Sequence, residues 1–339
     1  MKIARLAWLI VFTGLISNGY SFAAYDIPLL QSYIAEIPKN KTHFFQQQDS
    51  NHSKTKYQNY FFNNLENTHH QHLFYKYHVG QYDIVAQVFL IDVNLETVLL
   101  SHGYLDHSGF NRPLVNFLLA NNYNVIVFDQ PGHGLSSGNR SSIDNFSTYQ
   151  QVLTQTISHF QPHLNKPLHV IGHSTGNVGI IDLFAENQKT WKGQTIMLSP
   201  LIRSKLWGTS KFFYKLGGKL FKKIPRTFRN NSHDKYFKKW LKKEPFVIKK
   251  LSKDWIDAHH IWEKSIQSNK ISLLKFTVIQ GQDDIIVDYK YNQKYLNEHF
   301  PNLNLIKIQN ANHHLINETQ SIQSQVFDKI LFTLKSSNK

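Results

Sequence analysis

The sequence predicts an α/β fold: a mostly parallel central sheet with helices on both faces, interrupted by one inserted helical cap. Three observations lead there. Short apolar runs alternate with amphipathic stretches of about 10 to 18 residues, the order expected of parallel strands joined by crossover helices. A Gly-x-Ser-x-Gly pentapeptide at 172–176 stands between one apolar run and the next amphipathic stretch. The alternation breaks only once, over residues 201–270, where basic and aromatic residues accumulate.

Taken in order, residues 1–23 have the pattern of a secretory signal. Lys2 and Arg5 form a basic start, 6–16 is apolar, and Ser21 and Ala23 are small residues ahead of a cleavage point before Ala24. The run 6–16 would span only about half of a ~30 Å hydrocarbon core, so a cleaved signal is expected rather than an anchor. The protein is therefore expected to be exported, to the periplasm or beyond. Residues 24–70 are rich in Asn, Gln and His and read as an irregular N-terminal extension with one short helix at 29–37. Within it, His69, His70 and His72 read as solvated histidines rather than metal ligands.

From residue 71 the pattern sharpens. Residues 73–78 and 82–91 read as paired strands around a turn at Gly80. Buried strands follow at 96–101, 124–128, 167–171, 195–198, 275–280 and 304–308. Helices are expected at 114–120, 143–160, 178–186 and 321–335. The domain reading is a core of 71–200 and 271–339, with 201–270 as a cap or lid between two strands.

The chemistry is carried by Gly172-His173-Ser174-Thr175-Gly176. After a strand and before a helix, this pattern forms a tight turn that lifts the serine hydroxyl above the sheet. A serine hydroxyl is a weak nucleophile at neutral pH and needs a histidine base oriented by a carboxylate. In this class of fold the chain order is Ser, acid, His, each beyond the carboxyl end of a strand. After 275–280 stand Asp283 and Asp284. Asp284 is preferred because it lies three residues after Gly281 and precedes an apolar run. After 304–308 stand His313 and His314, with His313 the preferred base and His314 the runner-up. The oxyanion of acyl transfer requires two backbone N–H donors, assigned to Thr175 and to Tyr104 in Ser101-His102-Gly103-Tyr104. His102 itself reads as a structural hydrogen-bonding residue.

These residues resemble the α/β-hydrolase superfamily, and within it the monoacylglycerol lipase and lysophospholipase branch grouped with serine aminopeptidase-like hydrolases. The loop 102–109, His-Gly-Tyr-Leu-Asp-His-Ser-Gly, is similar to that branch's H-G-x-x-[ED]-H-S-G. Asp129-Gln130-Pro131-Gly132-His133-Gly134-Leu135-Ser136-Ser137-Gly138 is similar to its D-x-x-G-H-G-x-S-x-G turn. Gly281-Gln282-Asp283-Asp284 matches G-x-x-D, and Ala311-Asn312-His313 matches A-x-H. The resemblance runs over roughly residues 75–335 and implies a serine hydrolase that needs no cofactor. It implies a lipid ester substrate, a lysophospholipid or monoacylglycerol.

Composition narrows the partners. The 339 residues contain no cysteine, which excludes disulfides, thiolate metal sites, a cysteine nucleophile and a lipidated cysteine. The formal charge is +15. Residues 201–270 hold 19 Lys and Arg against 5 Asp and Glu, a net of +14, so the charge is a property of the cap. A basic, aromatic cap over a lipase-like site suits contact with an anionic membrane surface. No recognised nucleic-acid module accompanies the charge, and none is expected to bind. Two other readings are a peptidase of the serine aminopeptidase type and a non-catalytic membrane-binding protein. The first would want an acidic cap pocket for a substrate amine, and the second would not need all three triad positions filled.

Overall fold

The computed structural model describes residues 52–63, 65, 70–205, 207–208 and 223–336. The signal segment, the helix expected at 29–37, His69 and the cap residues 209–222 lie outside the described residues.

In chain order the elements are helix α1 (His52–Phe61), strands β1 (Gln71–Val79), β2 (Tyr82–Leu90) and β3 (Thr97–Ser101), and helix α2 (Arg112–Ala120). Then come β4 (Asn124–Phe128), α3 (Ser147–Phe160), β5 (Leu168–His173), α4 (Val178–Ala185) and β6 (Thr195–Leu198). The inserted segment contains β7 (Lys223–Pro225), α5 (Lys235–Leu241), β8 (Lys250–Ser252) and α6 (Lys253–Ser265). The chain closes with β9 (Thr277–Gly281), α7 (Tyr289–His299), β10 (Asn304–Ile308) and α8 (Gln320–Lys335).

Eight strands form one sheet in the order β1-β2-β4-β3-β5-β6-β9-β10. β1 and β2 pair antiparallel, as do β2 and β4, and every later pairing is parallel. The mostly parallel sheet expected from the sequence is thus observed. Parallel strands are buried on both faces because helices cover both. Side chains alternate between the two: Leu99, Ile126 and Val170 join one apolar layer, while Val98, Leu100, Val125, Val127 and Ile171 join the other. The first layer is completed by Val152, Leu153 and Ile157 of α3, Ile180 and Phe184 of α4, and Trp255 and Trp262 of α6. The second is completed by Leu114 and Leu118 of α2, Val326 and Ile330 of α8, and Trp240 of α5.

The structure corrects the sequence reading at five places. Residues 52–61 are helical, not irregular. Their sequence is polar on average, but Tyr57, Tyr60 and Phe61 fall at helical spacing and are buried against the core. Helix α3 begins at Ser147 instead of 143; Ile143 and Phe146 are buried in the preceding turns, which gives the sequence its longer apolar period. Helix α7 was not anticipated, because it buries only Asn292, Tyr295 and Leu296. The cap is not purely helical: β7 and β8 pair antiparallel as a short ribbon. His72 is half-buried rather than solvated; it stacks on Phe89 at 4.1 Å and its Nε2 lies 2.9 Å from Gln87 Oε1.

Candidate active site

The parallel register brings three strand ends level. His173 pairs with Leu198, Leu198 with Ile279, and Gly281 with Ile308. The loops that leave β5, β9 and β10 therefore converge at one edge of the sheet, and they carry Ser174, Asp284 and His313.

Ser174 sits directly after β5 with φ +51, a left-handed conformation that costs an L-residue about 1–2 kcal/mol. The turn is held by close packing of its flanking glycines. A Cβ on Gly176 would stand 2.2 Å from the Ser101 carbonyl, and one on Gly172 would stand 2.3 Å from Asn177 Oδ1. Leu105, Ser199 and Asn310 also have positive φ, each in a loop beyond a strand end of this site. Strain of this kind concentrates where surrounding structure holds a functional geometry.

His313 Nδ1 lies 2.8 Å from Asp284 Oδ2. A carboxylate only accepts, so Nδ1 carries the hydrogen, and in the neutral ring Nε2 holds the lone pair. Asp284 is 2% exposed, and its acceptor sites are filled: Oδ1 by the N–H groups of Ile286 and Val287, Oδ2 also by Gln280 Nε2 at 3.0 Å. Burial alone would raise its pKa; His313 and the two backbone donors outweigh burial and lower it. Asp283 is exposed and directs only its backbone, to the Ala311 carbonyl. His314 points elsewhere, toward Asp106, whose Oδ1 is 3.5 Å from its Nε2.

The His313 loop is tied to the Ser174 turn. His173 Nε2 donates to the His313 carbonyl at 3.1 Å. The loop after β3 abuts the same turn, since a Cβ on Gly103 would stand 3.1 Å from Ser174 Cβ. Tyr104, the next residue, is thereby beside Ser174, as is Thr175 in the turn itself. His102 accepts from Gln130 N–H at 2.9 Å through Nε2 and donates through Nδ1 to the Gly103 carbonyl. Burial lowers its pKa, so it is a neutral strut, in keeping with the structural role expected of it.

The inserted segment closes over this edge through buried polar contacts. Asn231 O accepts from His314 N–H, Asn230 O from Asn312 Nδ2, and Glu318 accepts from His233 and from Asn312 N–H. His107 faces Glu244 at 3.2 Å. Tyr104 stacks on Trp255 at 3.8 Å and donates its hydroxyl to the Ser141 carbonyl. Sequence reasoning singled out none of Gln280, Glu244 or Glu318 in these roles. Their signal would have been a polar residue at a position the strand or loop pattern buries.

Asp106, His173 and His314 form a second buried group at this edge. Burial would raise the Asp106 carboxyl, but His314, His173 and Arg226 hold it below the usual carboxylate range. Burial pushes His314 down to about 3. Asp106 is thus the charged member and His314 a neutral one.

Similarity to known proteins agrees with this architecture. A family profile described as Serine aminopeptidase, S33, matches residues 94–320. Human monoglyceride lipase is 29% identical over 106 residues, 31% of this chain and 35% of that enzyme, so the match spans about a third of the relative's length. A monoglyceride lipase homolog of monkeypox virus is 25% identical over 252 residues, 69% of this chain and 87% of that protein. A solved structure of a soluble variant of Saccharomyces cerevisiae monoglyceride lipase with a substrate analog superposes with a TM-score of 0.67 at 19% identity. It covers 80% of this chain and 97% of that one, a likeness of fold. The profile match takes in the Ser174, Asp284 and His313 loops together, and the chain belongs to the serine aminopeptidase (S33) family, in the monoglyceride lipase-like branch of the α/β hydrolases.

Proposed function

We propose that the protein is a serine hydrolase that cleaves carboxylic esters of lipids, monoacylglycerols or lysophospholipids. The observation that carries this reading is the positive-φ Ser174 turn beside a buried Asp284–His313 pair 2.8 Å apart. Ser174 Oγ attacks the ester carbonyl carbon while His313 Nε2 takes its proton. Asp284 holds the Nδ1–H tautomer and stabilises the imidazolium that forms. The N–H groups of Thr175 and Tyr104 receive the oxyanion. His313 then protonates the departing alcohol, leaving an acyl-serine. Water, deprotonated by His313, attacks the acyl carbon and releases the fatty acid and free Ser174. Every step uses this chain's own residues.

The cap belongs to the same reading. Its net +14 suits a lipid-bearing anionic surface met through the lysines, since Trp207, Phe237, Trp240, Trp255 and Trp262 are buried within the protein. The pattern of residues 1–23 supports export as part of the same reading. Binding to vesicles containing an anionic lipid should weaken as salt rises, whereas indifference to both lipid charge and salt would remove the membrane contact.

The test of substrate class is a comparison of wild type with Ser174→Ala on monoacylglycerols, lysophosphatidylcholine and aminoacyl-naphthylamides. Fatty acid release by wild type alone is expected. Cleavage of the amides without the esters would make the protein a peptidase, and inactivity of folded wild type on all three would favour a non-catalytic scaffold.

A further inference from the structure

His173 Nε2 donates to the His313 carbonyl, so in the neutral ring Nδ1 carries a lone pair. That lone pair faces the Asp106 carboxylate, with Oδ2 at 3.5 Å. In that neutral state two acceptors are turned toward each other in a buried space. At the other oxygen of the same carboxylate, His314 Nε2 is 3.5 Å from Oδ1. Both separations are too long for the ~2.7–2.9 Å charge-assisted hydrogen bonds that a shared proton would form. Bonds of ~2.0–2.1 Å to a metal ion would set ligand atoms about 3.4 Å apart, and each ring nitrogen stands near that distance from one oxygen of the carboxylate, His173 from Oδ2 and His314 from Oδ1. One ligand atom from each of the three residues falls within 4.8 Å of the others.

Three further features fit an ion. Asp106 is 4% exposed and its Oδ1 has no hydrogen-bond donor among the described residues. The space beside it is kept open by Gly103, where a Cβ would stand 3.1 Å from His173 Nδ1 and 3.3 Å from Asp106 Oδ2. The bond from His173 to the His313 carbonyl is the outer-shell contact that orients a metal-bound imidazole. The Nδ1 of His314 has no such partner among the described residues.

We propose that Asp106, His173 and His314 form a binding site for one divalent first-row transition ion. Two imidazoles and a carboxylate suit Zn²⁺ and its neighbours, and a fourth position is left for water. The ion would clamp the nucleophile turn to the base loop, because its ligands adjoin Ser174 and His313 in sequence. The site stands whether or not the ester chemistry does.

The test uses the untagged mature protein, stripped by a chelator, then titrated with Zn²⁺ by calorimetry and with Co²⁺ by visible absorption. One ion per chain is expected, with the intense bands of four-coordinate Co²⁺. Asp106→Asn and His314→Gln should each weaken binding at least tenfold while circular dichroism shows a folded chain. A control variant, His69→Asn with His70→Asn and His72→Asn, should bind as wild type does. Where a site variant does not fold, the Co²⁺ spectrum of wild type decides alone. Absence of stoichiometric binding, a six-coordinate spectrum, or binding lost in the control variant instead would overturn the proposal. So would a ¹⁵N spectrum of stripped protein showing His173 doubly protonated and unmoved by Zn²⁺.

Discussion

Ser174 concentrates the tension between folding and reactivity in one backbone angle. At φ +51 its Cβ opposes the local conformation, and the fold holds it there through the packed glycines on either side. Replacing it by glycine removes that opposition, whereas alanine retains it. Ser174→Gly should therefore be more stable than Ser174→Ala by about 1–2 kcal/mol, measured by urea unfolding, with both inactive. Asp284 acts one residue further out. Asp284→Asn keeps an oxygen for the N–H groups of Ile286 and Val287, so the turn survives. It cannot hold the Nδ1–H tautomer of His313, and kcat should fall by about 10⁴ in a steady-state assay.

Among the elements, α6 meets α4 through Trp262, whose Nε1 donates to Asp182 Oδ1 at 2.8 Å. Burial raises the Asp182 pKa from 3.8 to about 7, and the Trp262 hydrogen bond only partly offsets this. The folded state thus binds a proton that the unfolded chain has released. The sign follows: stability is greatest below the unfolded pKa near 3.8 and declines as pH rises toward 7, a loss of up to about 4 kcal/mol. Asp182→Asn should flatten that decline. It should match wild type near pH 4 and be more stable at pH 8, as read by denaturant unfolding across pH. Helix α1 makes a different prediction. Phe61 is 1% exposed and packs against His107, Trp240 and Phe246, which joins the N-terminal segment to the core and the cap. Phe61→Ala should cost about 3–5 kcal/mol, a magnitude a solvated extension would not show in the same unfolding measurement.

At the scale of the whole molecule, legibility in the sequence followed the strength of each local signal. β3, β4 and β5 were legible because burial on both faces forces continuous apolar runs. The reactive loops were legible because turn and chemistry demand particular residues at fixed spacing. Helices α1 and α7 were not, since each buries only a few residues within a polar segment. The Asp106–His173–His314 group was equally hidden, because its members come from the end of β5 and from the loops after β3 and β10, which only the sheet register brings together. The same convergence of β5, β9 and β10 underlies the account's central claim, that Ser174 is an acyl-transfer nucleophile activated by His313. Fluorophosphonate labelling followed by peptide mass spectrometry tests it most directly. The account predicts stoichiometric modification of Ser174 in wild type, lost in Ser174→Ala and strongly slowed in His313→Ala. A folded protein left unmodified, or one modified at another serine, would contradict it.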